Sequence, residues 1–402
     1  MANDIKTNRR AELVLIRSAE AAPYLTVGAK SYCKDQLVGK RNGQSYEFVI
    51  RDAGEYVEGM DITGHVSDIV ERKVTKNIKI GNVAVNTNLL EKVTDLNWDK
   101  EVAEPQGEKL AKGLVASVLK DDIGRQNTAF VGVGFLPLFK ASNFLTSIST
   151  ESQYAFVDSQ VESIIRAAGQ SFSPKSDVEP IYQKNLKGTI ADAEVRVQQG
   201  LPNLVISEDL ANELASATIT SYTPGVTADV IVLNGVSETV PAGTPLFVEG
   251  VYATDLVGEK TSALKAFIVI EDGAEGSVKV RPVDFAGQGT KEAIKADGTA
   301  VTAGGLASKK LVNSITAGTY FTGIFRVNGS MEFDTLPELD WSNADSRVTS
   351  PNGITMHEGR AVDVIAGTNK TRWAIAAVAG VVEPRGQAYV CIKDAVANLV
   401  AM

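Results

Sequence analysis

The sequence predicts an α+β protein with a small β-barrel or sandwich inserted into a larger body. Three observations carry that reading. Alternating apolar strands and glycine-marked turns dominate, with 35 glycines among 402 residues. Helical periodicity is confined to a few segments, one of them long. From about Thr218 to Ala317 the composition shifts to Ser, Thr, Val and Gly in short strands, while the flanking stretches read as parts of one larger body.

Each element has a local reason. Arg9–Ala22 places Leu13, Leu15, Ile16 and Ala19 for a short amphipathic helix bounded by Pro23, an arm suited to packing on a neighbour. Two strands follow. Tyr46, Phe48 and Ile50 alternate in the first, and Val74, Ile78 and Ile80 in the second. Between them lies a polar excursion with Gly54, Gly59 and Gly64 and an acidic set of Asp52, Glu55, Glu58, Asp61 and Asp68. An isolated hairpin is marginal in water, so one this long is expected to lie on another subunit.

Glu104–Asp122 reads as a helix. Pro105 suits its first turn, Leu110, Leu114 and Val118 recur every four residues, Ala111, Val115 and Leu119 widen the stripe, and Gly124 ends it. At 1.5 Å per residue it is about 28 Å long. A second helix is expected from Glu151 to Ala168, carrying Phe156, Val157, Val161, Ile164 and Ile165. The insertion then supplies Val230–Leu233, Pro245–Val248, Ala266–Ile270 and Ser277–Arg281, the last two joined by a Glu271–Gly276 hairpin connection. The chain resumes at Phe321–Arg326. It is expected to end in a sheet built from Ala361–Ala366, Arg372–Ala376 and Gln387–Ile392.

Composition narrows the function. A chain of 42.7 kDa suits two or three domains, and 44% hydrophobic with 22% charged residues is the balance of a globular protein. No stretch approaches the ~20 apolar residues of a membrane-spanning helix. Met1–Lys6 has no apolar core after its charges, so no secretory signal is expected, and Cys33 and Cys391 read as reduced thiols of a protein made in the cytosol. The net charge is 40 minus 49, or −9, and the densest basic cluster, Glu71–Lys76, contains its own acid. Tight, direct DNA binding is therefore not expected.

The chemistry-bearing motifs are missing. His65 and His357 are the two histidines, both read as solvated loop residues, and there is no HExxH, paired CxxC, GxSxG or Walker loop. Gly132-Val-Gly134-Phe-Leu-Pro137 opens like a dinucleotide fingerprint but places Pro at the third glycine, so it reads as a buried turn. Asp272-Gly273 and Asp297-Gly298 read as turns, not calcium loops. No catalytic residue, metal ligand or cofactor site is assigned, and no enzyme is expected.

The order of parts resembles the major capsid proteins of tailed phages with the HK97-like fold, in the phage P22-type branch that carries an inserted β-barrel. Three stretches carry the resemblance. Val83–Val93 through Glu104-Pro105 and Leu110-Ala111 is similar to the entry to the spine helix. Gly243–Val251, Phe267–Val269 and Val278–Pro282 resemble the insertion domain. Gly353-Ile354 and Thr371–Pro384 resemble the terminal strands, with the usual Arg-Pro pair inverted to Pro384-Arg385.

The resemblance implies an N-arm at residues 1–30, an E-loop with flanking strands at 31–82, and a peripheral domain with the spine helix at 83–144. It implies an axial domain at 145–217 and 318–350, the inserted barrel at 218–317, and peripheral-domain C-terminal strands at 351–402. It further implies a structural protein that self-assembles as pentamers and hexamers into an icosahedral shell, the virion capsid, built in the host bacterial cytoplasm. Its implied partners are a scaffolding protein during assembly, a portal protein at one vertex, and packaged double-stranded DNA bound without sequence specificity. A decoration protein is left open, and no membrane is involved. Glu55, Glu58 and Asp61 on the E-loop are the candidate inter-subunit contacts, and Glu12, Arg17 and Glu20 on the N-arm the candidate scaffold contacts. Non-covalent shell contacts are expected.

Two other readings fit less of the chain. A cellular encapsulin-like nanocompartment shell would share the fold but usually lacks the barrel. A β-rich carbohydrate-active enzyme needs facing carboxylates and an aromatic groove, and Trp98, Trp341 and Trp373 are scattered along the chain.

Overall fold

The computed structural model describes residues 22–32, 45–51, 71–88, 104–161, 189–274, 276–283, 291–299, 301–312, 315–336, 344–349, 354–363 and 368–393. In chain order, the first elements are α1 (Pro23–Thr26), β1 (Ala29–Lys30), β2 (Ser45–Arg51), β3 (Glu71–Asn77), β4 (Lys79–Asn88) and α2 (Glu104–Asp122). Next come β5 (Thr128–Val133), α3 (Leu136–Ile148), β6 (Gln153–Val157), β7 (Thr189–Ile190), β8 (Ala193–Val197), β9 (Leu204–Ile206) and α4 (Glu208–Ser216). Then come β10 (Thr218–Thr223), β11 (Asp229–Asn234), β12 (Pro245–Thr254), β13 (Lys260–Glu271), β14 (Ser277–Val280) and β15 (Ala293–Lys295). The last strands are β16 (Gly318–Val327), β17 (Met331–Thr335), β18 (Ala344–Thr349), β19 (Thr355–Asp363), β20 (Thr368–Val381) and β21 (Gln387–Lys393).

The chain divides into two compact units: Met1–Phe48, Thr75–Leu119 and Met331–Gly380 form one, and Val49–Val74, Lys120–Ser330 and Val381–Met402 the other. The first is organised around β20. Its run Trp373–Val381 is apolar at nearly every position and buried throughout, the pattern of a central strand covered on both faces. β20 pairs antiparallel with β4 on one side, from Thr368↔Asn88 to Ala377↔Lys79. On the other it pairs with β19, and the sheet order is β1-β17-β20-β19-β18. The long helix lies over β4 where Gly81 leaves room. A Cβ there would stand 3.2 Å from Leu110 Cδ1 and 3.6 Å from Leu114 Cβ. Lys79 Nζ also bonds the Ser117 carbonyl and its hydroxyl.

The second unit contains a seven-stranded mixed sheet in the order β5-β21-β16-β6-β8-β7, with β9 also pairing β16. Helix α3 covers one face. Leu138, Ala141, Phe144 and Leu145 pack there with Ala155, Val157, Phe325, Val327, Ala388, Val390 and Ile392. Its second sheet has the order β10-β11-β14-β13-β12-β15, and Ser308–Val312 closes it on itself. Ser308 N donates to Ile219 O (2.8 Å) and Leu311 N to Ala217 O (3.0 Å), beside β10. On the opposite side Glu249 N donates to Lys310 O (3.0 Å) and Val312 N to Phe247 O (2.8 Å), beside β12. The hydrogen bonds thus run round a complete ring, which removes the exposed edges an open sheet would present. Inside it, Phe267 meets Tyr222 edge-on at 6.1 Å, with Val278, Val280, Leu246 and Val248 buried around them.

Several expectations hold in detail. The helix over Glu104–Asp122 has those same ends, and β2 pairs with β3 as a two-stranded sheet. Val230–Leu233, Pro245–Val248 and Ala266–Ile270 fall within β11, β12 and β13, and Ser277–Val280 is β14 with Arg281 just beyond it. Four are corrected. The stretch expected to open a helix at Glu151 is strand β6, and helical backbone is described only from Ser159 to Val161. Its run Tyr154–Val157 is short and continuously apolar, a pattern compatible with either structure. Its pairing with β16 on one side and β8 on the other decides for the strand.

β21 does not join β19 and β20. It pairs antiparallel with β16 and parallel with β5 in the other sheet. The break at Val382–Gly386, with its 3₁₀ turn at Pro384–Gly386, separates two runs that read alike in sequence. His357 is a buried strand residue of β19 whose Nε2 lies 3.3 Å from Leu336 O, not a solvated loop histidine. The Gly132–Pro137 turn is an exposed corner, with Val133 and Leu136 open to solvent. The expected Arg9–Ala22 helix, His65 and Cys33 lie outside the described residues.

Candidate assembly surfaces

The acidic set Glu55, Glu58 and Asp61 and the arm residues Glu12, Arg17 and Glu20 lie outside the described residues. The structure describes the stretches that border both segments. Along β3 and into β4, Val74, Lys76 and Ile78 are buried while Thr75 and Asn77 are exposed, the period-2 alternation of a strand with one covered face. Where the arm ends, Ala22, Tyr24 and Leu25 are buried, with Pro23 at the first position of α1. β1 then pairs parallel with β17 through Ala29↔Met331 and Lys30↔Glu332.

Sequence reasoning missed an apolar corner. β5 and α3 meet at Gly134, whose φ of +67° suits glycine and which has open space around it. Val133 is 56% exposed, Leu136 60% and Phe139 45%, and Phe135 stacks tilted on Phe139 at 6.2 Å. The signal was present. Leu136 and Phe139 fall three apart on α3, off the stripe Leu138, Ala141 and Leu145 that faces the core, so this helix is apolar on two sides.

Charged groups serve as ties. Glu213 on α4 accepts from Ser237 N (2.9 Å), Ser237 Oγ and Glu238 N (3.0 Å), and these bonds hold its carboxyl below the usual range. Asp229, buried in the ring, accepts from the Tyr222 hydroxyl, Val283 N (3.1 Å) and Gly225 N (2.8 Å). Burial, then the Asp229 carboxylate, push the Tyr222 phenol far above its ordinary value. Lys265 and Glu292 form a buried pair at 3.6 Å. Among the described residues no three His, Cys, Asp or Glu are grouped to hold a metal ion, and no helix is long and apolar enough to cross a membrane. Glu213, Asp229 and Glu292 thus serve as hydrogen-bond acceptors or ion-pair partners in the fold.

Neither a protein-family model nor a curated protein matches the chain. In three dimensions the chain is similar to the head structure of Helicobacter pylori bacteriophage KHP40, at 8% identity and a TM-score of 0.45, over 93% of this chain and 90% of that one. It is also similar to the capsid of Ralstonia phage GP4, at 7% identity and a TM-score of 0.43, over 93% and 90%. A third similarity is to a virus-like particle from Pyrococcus furiosus, at 8% identity and a TM-score of 0.41, over 95% and 97%.

Proposed function

We propose that the chain is the major capsid protein of a tailed double-stranded DNA phage, assembling as pentamers and hexamers into an icosahedral shell. One observation carries the reading: the order of parts. A two-stranded arm (β2–β3) precedes a long helix (α2), and a closed ring of short strands sits between β9 and β16, splitting a mixed sheet. A shell subunit needs heterologous contacts on several sides more than it needs reactive groups. The exposed apolar corner and the stretches around α1 and β2–β3 supply candidate contacts.

On this reading residues 1–30 are the N-arm, 31–82 the E-loop with its flanking strands, and 218–317 the inserted domain of the P22 type. The E-loop's Glu55, Glu58 and Asp61 meet cations on a neighbour, and the N-arm's Glu12, Arg17 and Glu20 meet a scaffolding protein. The portal vertex and the packaged DNA are the other partners, and the net charge of −9 keeps the shell from binding DNA tightly.

Negative-stain images of the protein co-expressed with a scaffolding protein test the function. Uniform polyhedral shells of phage size are expected. Soluble monomers under every assembly condition would overturn it, and small closed shells formed without scaffold and loaded with cellular cargo would transfer it to the nanocompartment class. The E-loop is tested by Glu55→Lys, Glu58→Lys and Asp61→Lys together. Each exposed pair is worth only ~0–1 kcal/mol, but a shell repeats it many times. The triple variant is expected to fold as a monomer and assemble poorly. Normal shells of normal thermal stability would remove the E-loop assignment.

A further inference from the structure

The end of helix α2 is stabilised from outside itself. The helix finishes Lys120-Asp121-Asp122, placing two carboxylates where the macrodipole is negative. Its last carbonyls have no intrahelical partners and need donors from elsewhere. Those donors can be traced. Asp121 O accepts from Arg125 Nε (3.2 Å), and Asp122 O from Arg125 N (3.0 Å) and Gln126 Nε2 (3.0 Å), all local. Lys120 O and Ile123 O are reached instead by Arg281, which follows β14 in the ring: Nη2 to Lys120 O is 2.6 Å and Nε to Ile123 O is 3.4 Å. The same Nη2 stands 3.8 Å from Asp121 Oδ1. Val381 N donates to Asp122 Oδ1 at 2.9 Å.

The ring also sets the turn sterically. Gly124 ends the helix at φ +94°, and a Cβ there would stand 2.8 Å from Ile270 Cγ2 and 2.9 Å from Arg281 Cγ. The two ring residues therefore close directly over the stop signal.

We infer that the last turn of α2 is a conditional element, formed only while the ring is seated and Arg281 holds it. The charge pattern is the reason. Asp121 and Asp122 oppose the helix end, and Arg281 supplies both the countercharge and two of the missing donors. Displacing the ring would leave the last turn with Lys120 and Arg125 as local cations, but without the Arg281 fork on the Lys120 and Ile123 carbonyls. Arg281 is thus a positioning residue through which the ring controls where the helix stops. The inference does not depend on the shell reading.

Hydrogen exchange on the full chain tests it. Arg281→Met is expected to speed exchange of the Asp121–Arg125 amides by about tenfold or more, while Leu246–Val248 and Phe267–Val269 in the ring change little. Adding Asp121→Asn to that variant should recover several-fold of the protection, because without Arg281 the Asp121 carboxylate opposes the negative end of the helix dipole. Arg281→Lys, which keeps the charge but loses the fork, should be intermediate and provides the readout if Arg281→Met does not fold. Unchanged exchange at Asp121–Arg125 would overturn the inference. So would equal acceleration in the ring, or no recovery from Asp121→Asn.

Discussion

At Glu213, one exposed carboxylate holds two segments through three hydrogen bonds. Its folded-state pKa lies below the ordinary value of 4.5, so its stabilisation is present above that value and is lost as pH falls through the lowered one. The melting-temperature gap between the native chain and Glu213→Gln should be widest near neutral pH and close in acid. A gap independent of pH would show that the carboxylate charge is irrelevant. Cys391 behaves in the opposite way. It is fully buried, and desolvation pushes its thiol far above the ordinary range, so it should resist alkylation in the folded chain and react on denaturation. Prompt labelling of Cys391 in the native state would contradict its place in the core. Phe267 is buried in the ring against Tyr222, and Phe267→Ala should cost about 3–5 kcal/mol by denaturant melting. Some residues were legible in advance. Leu110, Leu114 and Val118 were readable as core because a helical stripe announces itself every turn. His357 was not, because one polar residue in a strand carries no sign of which face it takes.

The long helix, whose two ends carry their own chemistry, was read correctly. Pro105 and Gly124 bracket α2 as expected; α4, which Ser207 caps by accepting from Leu210 N at 3.1 Å, was not picked out in the sequence. β6 was misread because four apolar residues fit either period, and its identity comes from β16 and β8 on its two sides. Gly124 also makes a prediction here. With φ at +94° and ring atoms within 3 Å of a Cβ, Gly124→Ala combines a left-handed backbone penalty with a clash. Of these, the backbone contribution alone is ~1 kcal/mol. A Gly124→Ala chain as stable as the native one would mean the helix end is free to shift.

For the whole molecule, the question is whether the ring is a domain. It closes on its own hydrogen bonds, yet it is tied to the body. Asn127 Nδ2 donates to Thr254 O (2.6 Å) and Arg385 O (3.1 Å), Thr128 Oγ1 donates to Leu264 O (2.7 Å), and Gly243 sits over Tyr389. The closing bond Leu311 N→Ala217 O moves the natural start of the excised piece to Ala217. Residues 217–317 alone are expected to give a soluble monomer with a cooperative melt and a β-type circular dichroism spectrum. An unfolded fragment at neutral pH would make the ring dependent on its host and remove the inserted-domain proposal.

Sequence by itself determined the local grammar of this protein: the long helix and its ends, the paired arm strands, the run of short strands from Thr218, and the absence of familiar catalytic motifs. These are set by periodicity and turn chemistry within a few residues, so they can be read one window at a time. Tertiary structure alone decided which strands meet. It sent β21 to β16 and β5 instead of to β20, closed the ring with Ser308–Val312, and brought Arg281 to Lys120 O across 161 positions of chain. Those choices depend on pairing edges and burial summed over distant segments, and a β-strand's own residues specify its faces but not its neighbours.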